Sequence, residues 1–168
     1  MTDRFRQDLV AVIPKLRRFA LSLAGNQPDA DDLVQSACIK ALRNSAQFRE
    51  GTRMDSWMYR IIQTLWIDDR RRNKTRGAQV DPEDAGLSDG GRAARLPEDR
   101  MMLDMARAAM GALPDKQRIV LSLVAIEGLT YKEASDVLEV PVGTVMSRLS
   151  RAREALLPQL GMTKGPIQ

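Results

Sequence analysis

The chain has 168 residues, enough for one ordinary domain or for two small domains of about 70 residues. Its formal charge of +4 and its pI near 9.6 permit a nucleic-acid partner without establishing one. The single cysteine, Cys38, excludes an internal disulfide, and the lack of histidine argues against zinc fingers, haem sites and His-based catalysis. We therefore expect no metal, no cofactor and no catalytic residue. With neither a signal-peptide core nor a run of about 18 apolar residues, the sequence predicts a cytoplasmic protein without membrane insertion.

Two helices are predicted before Asn44. From Arg4 to Ala24, apolar residues recur at helical spacing, and Gly25 follows as a left-handed end. Asp29 is predicted to cap the second helix, whose first turn is acidic and which runs to about Asn44. One half of this helix is apolar and should be buried: Leu33, Val34, Ala37, Cys38, Ala41 and Leu42.

The opposite half of the second helix mixes acidic, amide and apolar side chains: Asp32, Gln35, Ser36, Ile39 and Arg43. Such a face is typical of a docking surface for a basic partner helix. An ordinary solvated face remains open, because one exposed isoleucine is common on protein surfaces.

A loop from Ser45 to Met54 leads into a third helix, which Asp55 or Ser56 is predicted to cap and which reaches about Arg72. Tyr59 is placed on its polar side, where an aromatic ring could stack on a base. Trp57, Met58, Ile61, Ile62, Leu65 and Trp66 form the apolar half; Arg60, Gln63 and Ile67 project the other way with Tyr59.

The end of the third helix is strongly basic. Five cations occupy seven positions: Arg70, Arg71, Arg72, Lys74 and Arg76. Cations at a helix C-terminus offset the helix dipole, but five exceed what one dipole requires. The cluster therefore favours contact with phosphates.

From Asn73 to Leu96 the composition changes, with four glycines and few large apolar residues. We assign residues 77–96 as a flexible linker between two small all-α domains, residues 1–76 and 97–168. Stretched, about 24 residues span about 75 Å, more than two turns of B-DNA at about 34 Å each. One chain could therefore touch two separated DNA segments.

Two further helices follow the linker. Pro97 opens the first, whose thioethers are predicted to fill an adaptable core: Met101, Met102, Met105 and Met110. The second runs from Asp115 to Glu127, ends at Gly128, and presents five apolar side chains: Ile119, Val120, Leu123, Val124 and Ile126. No strand or hairpin signal occurs anywhere, so the predicted fold class is all-α.

The last two helices are predicted to form a helix-turn-helix. Thr130 and Glu133 make a capping box, Pro141 ends the first helix, and the second begins near Val142. Val145, Leu149, Ala152 and Leu156 form its inward stripe; Ser147, Ser150 and Arg151 lie opposite, flanked by Thr144, Met146 and Arg148. Small hydroxyls beside arginines suit reading of the major groove, although an ordinary solvated helix pair is the alternative.

Five segments of the chain resemble extracytoplasmic-function sigma factors. Asp29-Ala-Asp-Asp-Leu-Val-Gln35 resembles their D-A-x-D-L-V-Q polymerase-binding segment. Trp57-Met-Tyr-Arg-Ile61, followed by Ile67-Asp-Asp-Arg-Arg71, resembles their promoter-melting region. In the second domain three segments are similar: Leu113-Pro-Asp-Lys-Gln-Arg118, Glu127-Gly-Leu-Thr-Tyr131, and the stretch that contains Val142-Gly-Thr-Val145, Ser147-Arg148 and Arg151-Ala-Arg153.

This resemblance implies three sets of site residues. Those expected to bind core RNA polymerase are Asp32, Gln35, Ser36 and Ile39. Those expected at the minus-10 element are Phe48, Arg53, Tyr59, Arg60, Arg70, Arg71, Arg72 and Lys74, with the loop from Phe48 to Asp55 accepting a flipped base. Those expected to read the minus-35 element are Thr144, Met146, Ser147, Arg148, Ser150 and Arg151.

The resemblance also implies a non-enzymatic initiation factor, a monomer when free, that directs polymerase to promoters, starts melting and is restrained by an anti-sigma factor. The segments LRRFALSLAGN and ADDLVQ are similar to those of the general-stress subclass. The alternative is a sigma mimic that binds an anti-sigma factor without promoter activity. Mimics should lose the cationic phosphate contacts, which this chain keeps. A conventional repressor would need a ligand pocket or dimer face that the sequence does not indicate.

Five positions depart from the family pattern, four of them only in the type of side chain: Ser36, Thr64, Met146 and Ser150. Glu139 departs in a way that concerns the backbone, because it occupies a turn position often taken by glycine. A positive φ there would cost a residue with a side chain about 1 kcal/mol.

Overall fold

The computed structural model describes residues 1–77 and 97–161, and all regular structure in these two ranges is helical. The chain divides into two compact units, Met1–Ser88 and Asp89–Gln168. The predicted linker, residues 77–96, lies outside the described residues except for Gly77. In the described ranges no helix combines the length and apolarity needed to cross a membrane.

The first unit contains three helices that pack against one another in all three pairs. They are α1 (Asp3–Ala24), α2 (Gln27–Arg43) and α3 (Met54–Thr75), with a short 3-10 turn at Ser45–Gln47. Gly25 closes α1 at φ 80°, as its position predicts. Cys38 is half-buried on α2, and burial raises the pKa of its thiol.

Both predicted N-caps in the first unit are wrong. Asn26 caps α2: its side chain accepts a hydrogen bond from the Asp29 amide at 2.9 Å, and the helix begins before Pro28 because proline suits a first turn. In α3 the N-cap position belongs to Arg53, whose side chain makes no capping bond. Asp55 lies inside α3 and is buried, because its carboxylate bonds Arg53 and Lys15 instead.

The orientation predicted for Tyr59 is also wrong. Its side chain is 1% exposed, and its ring packs edge-on against Phe19 with 5.0 Å between centroids. The buried side of α3 is shifted toward Tyr59 relative to the predicted apolar half: Met58, Tyr59, Ile62 and Trp66 are buried, whereas Trp57, Ile61 and Leu65 are only half-buried. The prediction for Leu42 is wrong in the opposite sense, because this residue was expected to be buried and is 41% exposed.

The second unit contains four helices in its described residues. They are α4 (Pro97–Ala112), α5 (Asp115–Leu121), α6 (Tyr131–Leu138) and α7 (Val142–Gln159); α5 continues as a π-helical segment, Ser122–Ile126. Arg118 is buried and joins α5 to the end of α4, since its guanidinium donates to the carbonyls of Gly111 at 2.7 Å and Leu113 at 3.3 Å.

The predicted methionine core does not form. Met101, Met102 and Met105 are 63%, 67% and 43% exposed, and only Met110 is half-buried. The one buried residue of α4 is Ala109, near its C-terminal end, so the earlier turns carry their thioethers at the surface.

Ile126 is likewise exposed, against its predicted inward position. The wider π turn at Ser122–Ile126 shifts the helical phase, so a residue three positions after buried Leu123 no longer points inward.

Candidate polymerase and promoter-DNA interfaces

The outward face of α2 is accessible along its length. Asp32, Gln35 and Ser36 are exposed, and Ile39 is 44% exposed. Leu42, three residues after Ile39, extends this face with a second large apolar side chain. The structure thus brings together all four predicted docking residues and adds one that the helical wheel placed in the core.

An aromatic cluster supports the loop between α2 and α3. Phe48 is half-buried, and its ring lies 5.6 Å from that of Phe5 and 5.2 Å from that of Trp57. Beside this cluster, a cavity of about 670 Å³ opens between the start of α1 and the loop. Its lining includes Arg4, Phe5, Asp8, Ser45, Phe48 and Thr52. Aromatic and hydrogen-bonding groups therefore meet in the loop that the sequence predicts as a base pocket.

A buried carboxylate lies where this loop enters α3. The Asp55 side chain is 8% exposed and accepts from Arg53 Nη2 at 2.9 Å, Arg53 Nε at 3.1 Å and the Ser56 amide at 2.8 Å. Lys15 Nζ, from α1, lies 3.4 Å from the same carboxylate. Burial alone would raise the pKa of Asp55, but these partners, Arg53 foremost, hold the pKa below its ordinary value.

The cations of α3 differ in their surroundings. Arg60, Arg71, Arg72 and Lys74 are exposed. Arg70 is half-buried, with its guanidinium carbon 5.3 Å from the centre of the Trp66 ring, a cation–π distance. Tyr59, predicted to stack on a base, is enclosed in the core and cannot do so in this structure.

The predicted helix-turn-helix forms from α6 and α7. Thr130 Oγ1 accepts from the Glu133 amide at 3.1 Å, and Glu133 Oε1 accepts from the Thr130 amide at 3.3 Å, so the capping box is confirmed. Glu139 ends α6 at φ 55° and ψ 43°, the left-handed conformation anticipated for this turn. The Ser135 hydroxyl donates to the Val140 carbonyl, and this hydrogen bond connects the turn to α6.

Helix α7 presents the predicted two faces. Val145, Leu149 and Ala152 are buried. Among the six predicted DNA-reading residues, Met146, Ser147, Ser150 and Arg151 are exposed, whereas Thr144 and Arg148 are half-buried. The start of α7 has neither a side-chain cap nor an acidic residue in its first turn, so its positive dipole end is not neutralised there.

Two protein-family matches coincide with the two units. Residues 9–76 match Sigma-70 region 2, and residues 103–156 match Sigma-70, region 4. The fold and its exposed surfaces thus define a two-region protein of the sigma-70 class.

Similarity to individual proteins identifies the family within this class. The chain is 37% identical over 158 residues to "ECF RNA polymerase sigma factor EcfG" of Rhodopseudomonas palustris, covering 93% of this chain and 84% of that protein. This chain belongs to the extracytoplasmic-function (ECF) sigma factors of bacterial RNA polymerase.

Two solved structures of similar chains are complexes. The sigma factor RpoE of Bartonella quintana, crystallised with the anti-sigma factor NepR, superposes with a TM-score of 0.80 at 27% identity, covering 97% of this chain and 100% of that chain. CnrH, in complex with the cytosolic domain of CnrY, gives a TM-score of 0.67 at 25% identity, covering 94% and 87%.

Proposed function

We propose that this chain directs core RNA polymerase to a specific set of promoters, starts DNA melting, and is held in check by an anti-sigma factor. The observation that carries the proposal is the presence, on separate units, of two exposed surfaces whose side chains suit contact with DNA. One is the basic end of α3, and the other is the hydroxyl and arginine face of α7. The chain is a cytoplasmic initiation factor rather than an enzyme.

The outward face of α2 binds core polymerase. Asp32 and Gln35 supply charge and hydrogen bonds to a basic partner helix, while Ile39 and Leu42 supply apolar area that water would otherwise cover. Ser36 lies within the same surface. The clustering of apolar side chains beside an acid supports a protein partner here rather than DNA, because a phosphate backbone would repel Asp32.

The minus-10 element is bound by α3 and the loop before it. Arg60, Arg71, Arg72 and Lys74 neutralise phosphates of the separated strand, and Arg70, stacked on Trp66, is a more rigid contact. Phe48 and the neighbouring cavity receive an unstacked base, which offsets the few kcal/mol that unstacking costs.

The minus-35 element is read by α7. Arg148 and Arg151 can form bidentate hydrogen bonds with guanine. The neighbouring hydroxyl groups contact bases or phosphates; they belong to Thr144, Ser147 and Ser150. Met146, 51% exposed, offers an apolar contact to a thymine methyl group. The unneutralised start of α7 favours a phosphate at that end.

An anti-sigma factor is the expected regulator, because the similar chains RpoE and CnrH were solved with NepR and with the cytosolic domain of CnrY. A NepR-like protein is the first partner to test, given the TM-score of 0.80 over nearly the whole chain. The general-stress role suggested by the sequence stays a prediction.

Run-off transcription with core polymerase and genomic DNA fragments tests the proposal. Sequenced start sites should share minus-10 and minus-35 elements and should vanish when this chain is omitted. Arg151→Ala should reduce transcription from those sites by about 10- to 100-fold, since losing one base contact costs about 1–3 kcal/mol. Arg153→Ala, a change of the same type outside the predicted reading set, is the control. A chain that binds an anti-sigma factor yet never supports promoter-specific transcripts would be a sigma mimic.

A further inference from the structure

Asp55 joins three parts of the first unit through a single carboxylate. Arg53, in the loop, reaches both carboxylate oxygens, at 3.1 and 2.9 Å. Lys15 approaches from α1 at 3.4 Å, and the Ser56 amide donates from within α3 at 2.8 Å. This bidentate Arg–Asp pair fixes the orientation of the Arg53 guanidinium as well as its distance from the carboxylate.

The same loop is held at its other end by packing. Phe48 lies against Phe5 and Trp57, and the turn between closes where the Thr52 hydroxyl donates to the Arg49 carbonyl at 2.7 Å. Phe48, Glu50, Gly51 and Thr52 line the cavity, so this loop forms one of its walls; Phe48 anchors one end of the loop, and Arg53, just beyond the lining, anchors the other.

Arg53 differs electrostatically from the cations at the end of α3. Its charge faces a carboxylate that is 8% exposed. Across the part of the chain that the structure describes, no ion pair is found for Arg71, Arg72 or Lys74. A DNA phosphate would have to compete with a buried carboxylate for Arg53, but not for those three.

We propose that Asp55 is a positioning residue for the minus-10 strand: it holds Arg53, and through it the loop 48–53, in the geometry that receives single-stranded DNA. Arg53 acts through the loop and does not contact phosphate, which replaces the role expected from the sequence. This inference rests on the proposed function.

The test is the salt dependence of strand binding by holoenzyme. Full-length variants are assembled with core polymerase, and affinity for a single-stranded oligonucleotide carrying the minus-10 element of a run-off promoter is measured at several salt concentrations. Asp55→Asn and Arg53→Met should each weaken binding about tenfold, the order expected when a binding loop loses preorganisation. Their plots of log affinity against log salt should keep the wild-type slope.

Three comparisons separate positioning from direct contact. Arg72→Met should lower the slope by about 0.7, the value for one lost contact to a single-strand phosphate. Asp104→Asn, the same charge change at an exposed site on α4, should leave affinity within about twofold of wild type. Asp55→Asn combined with Arg53→Met should bind no more weakly than either single variant, because one removed partner already releases the loop.

Tighter binding by Asp55→Asn with a steeper slope would overturn the proposal, because Asp55 would then only mask a DNA-contacting Arg53. Unchanged binding by Asp55→Asn, or a slope reduced in Arg53→Met as in Arg72→Met, would overturn it too. If Asp55→Asn does not fold, Arg53→Met provides the same test, because the Arg53 side chain is 56% exposed and its replacement leaves the core unchanged. Failure of wild-type holoenzyme to bind the oligonucleotide would instead count against the proposed function.

Discussion

At the scale of single residues, Glu139 sets the geometry of the DNA-reading unit. It is the one non-glycine residue with positive φ in the described ranges, at φ 55°. Its amide donates to the Ser135 carbonyl, so the residue both ends α6 and redirects the chain into α7. A side chain in this conformation costs about 1 kcal/mol relative to glycine.

Glu139→Gly should therefore raise the free energy of unfolding by up to about 1 kcal/mol, since glycine adopts the left-handed conformation without a Cβ clash. Urea denaturation followed by circular dichroism measures the change. Lys132→Gly, at a helical position of α6, should instead lower stability by about 1 kcal/mol. An equal loss in both variants would show that the turn conformation is not strained.

Asp55 makes stability depend on pH. Its pKa is lower in the folded chain than in the unfolded chain, where an aspartate has a pKa of about 3.9. The ionised carboxylate thus stabilises the fold above that value, and this contribution is lost as pH falls through the folded pKa.

The free energy of unfolding of wild type should consequently exceed that of Asp55→Asn at about pH 7, and the difference should shrink between about pH 5 and pH 3. Urea titrations of both proteins at three pH values provide the measurement. A difference that stays constant over this interval would show that the Asp55 carboxylate does not gain stability from ionisation.

Side-chain direction was predictable at some positions and not at others. The capping box at Thr130 and Glu133 depends on local spacing alone, and the structure confirms it. Tyr59 and Asp55 were misplaced because their burial depends on α1, which is distant in sequence and contributes Phe19 and Lys15. A helical wheel describes one helix and carries no information about how many helices pack on it.

At the scale of elements, α2 offers the clearest single surface. Its buried side carries the small side chains of Ala30, Ala37 and Ala41, which let the neighbouring helices approach closely, while its outward side carries Asp32 and Ile39. Because the outward residues take no part in the core, the surface can be changed without changing the fold.

Asp32→Arg should abolish binding to core polymerase while leaving the melting temperature unchanged, because it reverses a charge on an exposed face. Pull-down or interferometry with purified core enzyme measures the affinity. Asp104→Arg, the same charge reversal at an exposed position of α4 in the second unit, is the control and should retain binding. Undiminished affinity of Asp32→Arg would remove this face from the interface.

The sequence predicted where the helices lie, but it did not predict which side chains of α4 and of the π-helical segment are exposed. The end of α1 at Ala24 and the start of α7 at Val142 are confirmed, because Gly25, Pro141 and apolar spacing are local signals. Ile126 was misassigned because a π segment breaks the 3.6-residue period on which the prediction depends. The methionines of α4 are apolar and regularly spaced, but spacing cannot show that no neighbouring helix covers them.

At the scale of the whole molecule, specificity requires both units. A single helix-turn-helix supplies few base contacts, so α7 alone gives weak selection among promoters. Joining it to the proposed minus-10 surface of the first unit raises the effective concentration of each DNA site, provided that both sites are engaged together. Core polymerase, docked on α2, is the partner that we expect to impose this geometry. Sequence similarity supports the two regions and their order, but the residues that act at each site stay predictions.

The most direct test of this account is promoter opening with and without core polymerase. On a promoter found by run-off transcription, thymines of the minus-10 element should become reactive to permanganate only when this chain and core enzyme are both present. The free chain should bind the same duplex weakly and with little sequence preference. Tight, specific binding by the free chain, or no opening by the holoenzyme, would contradict the account.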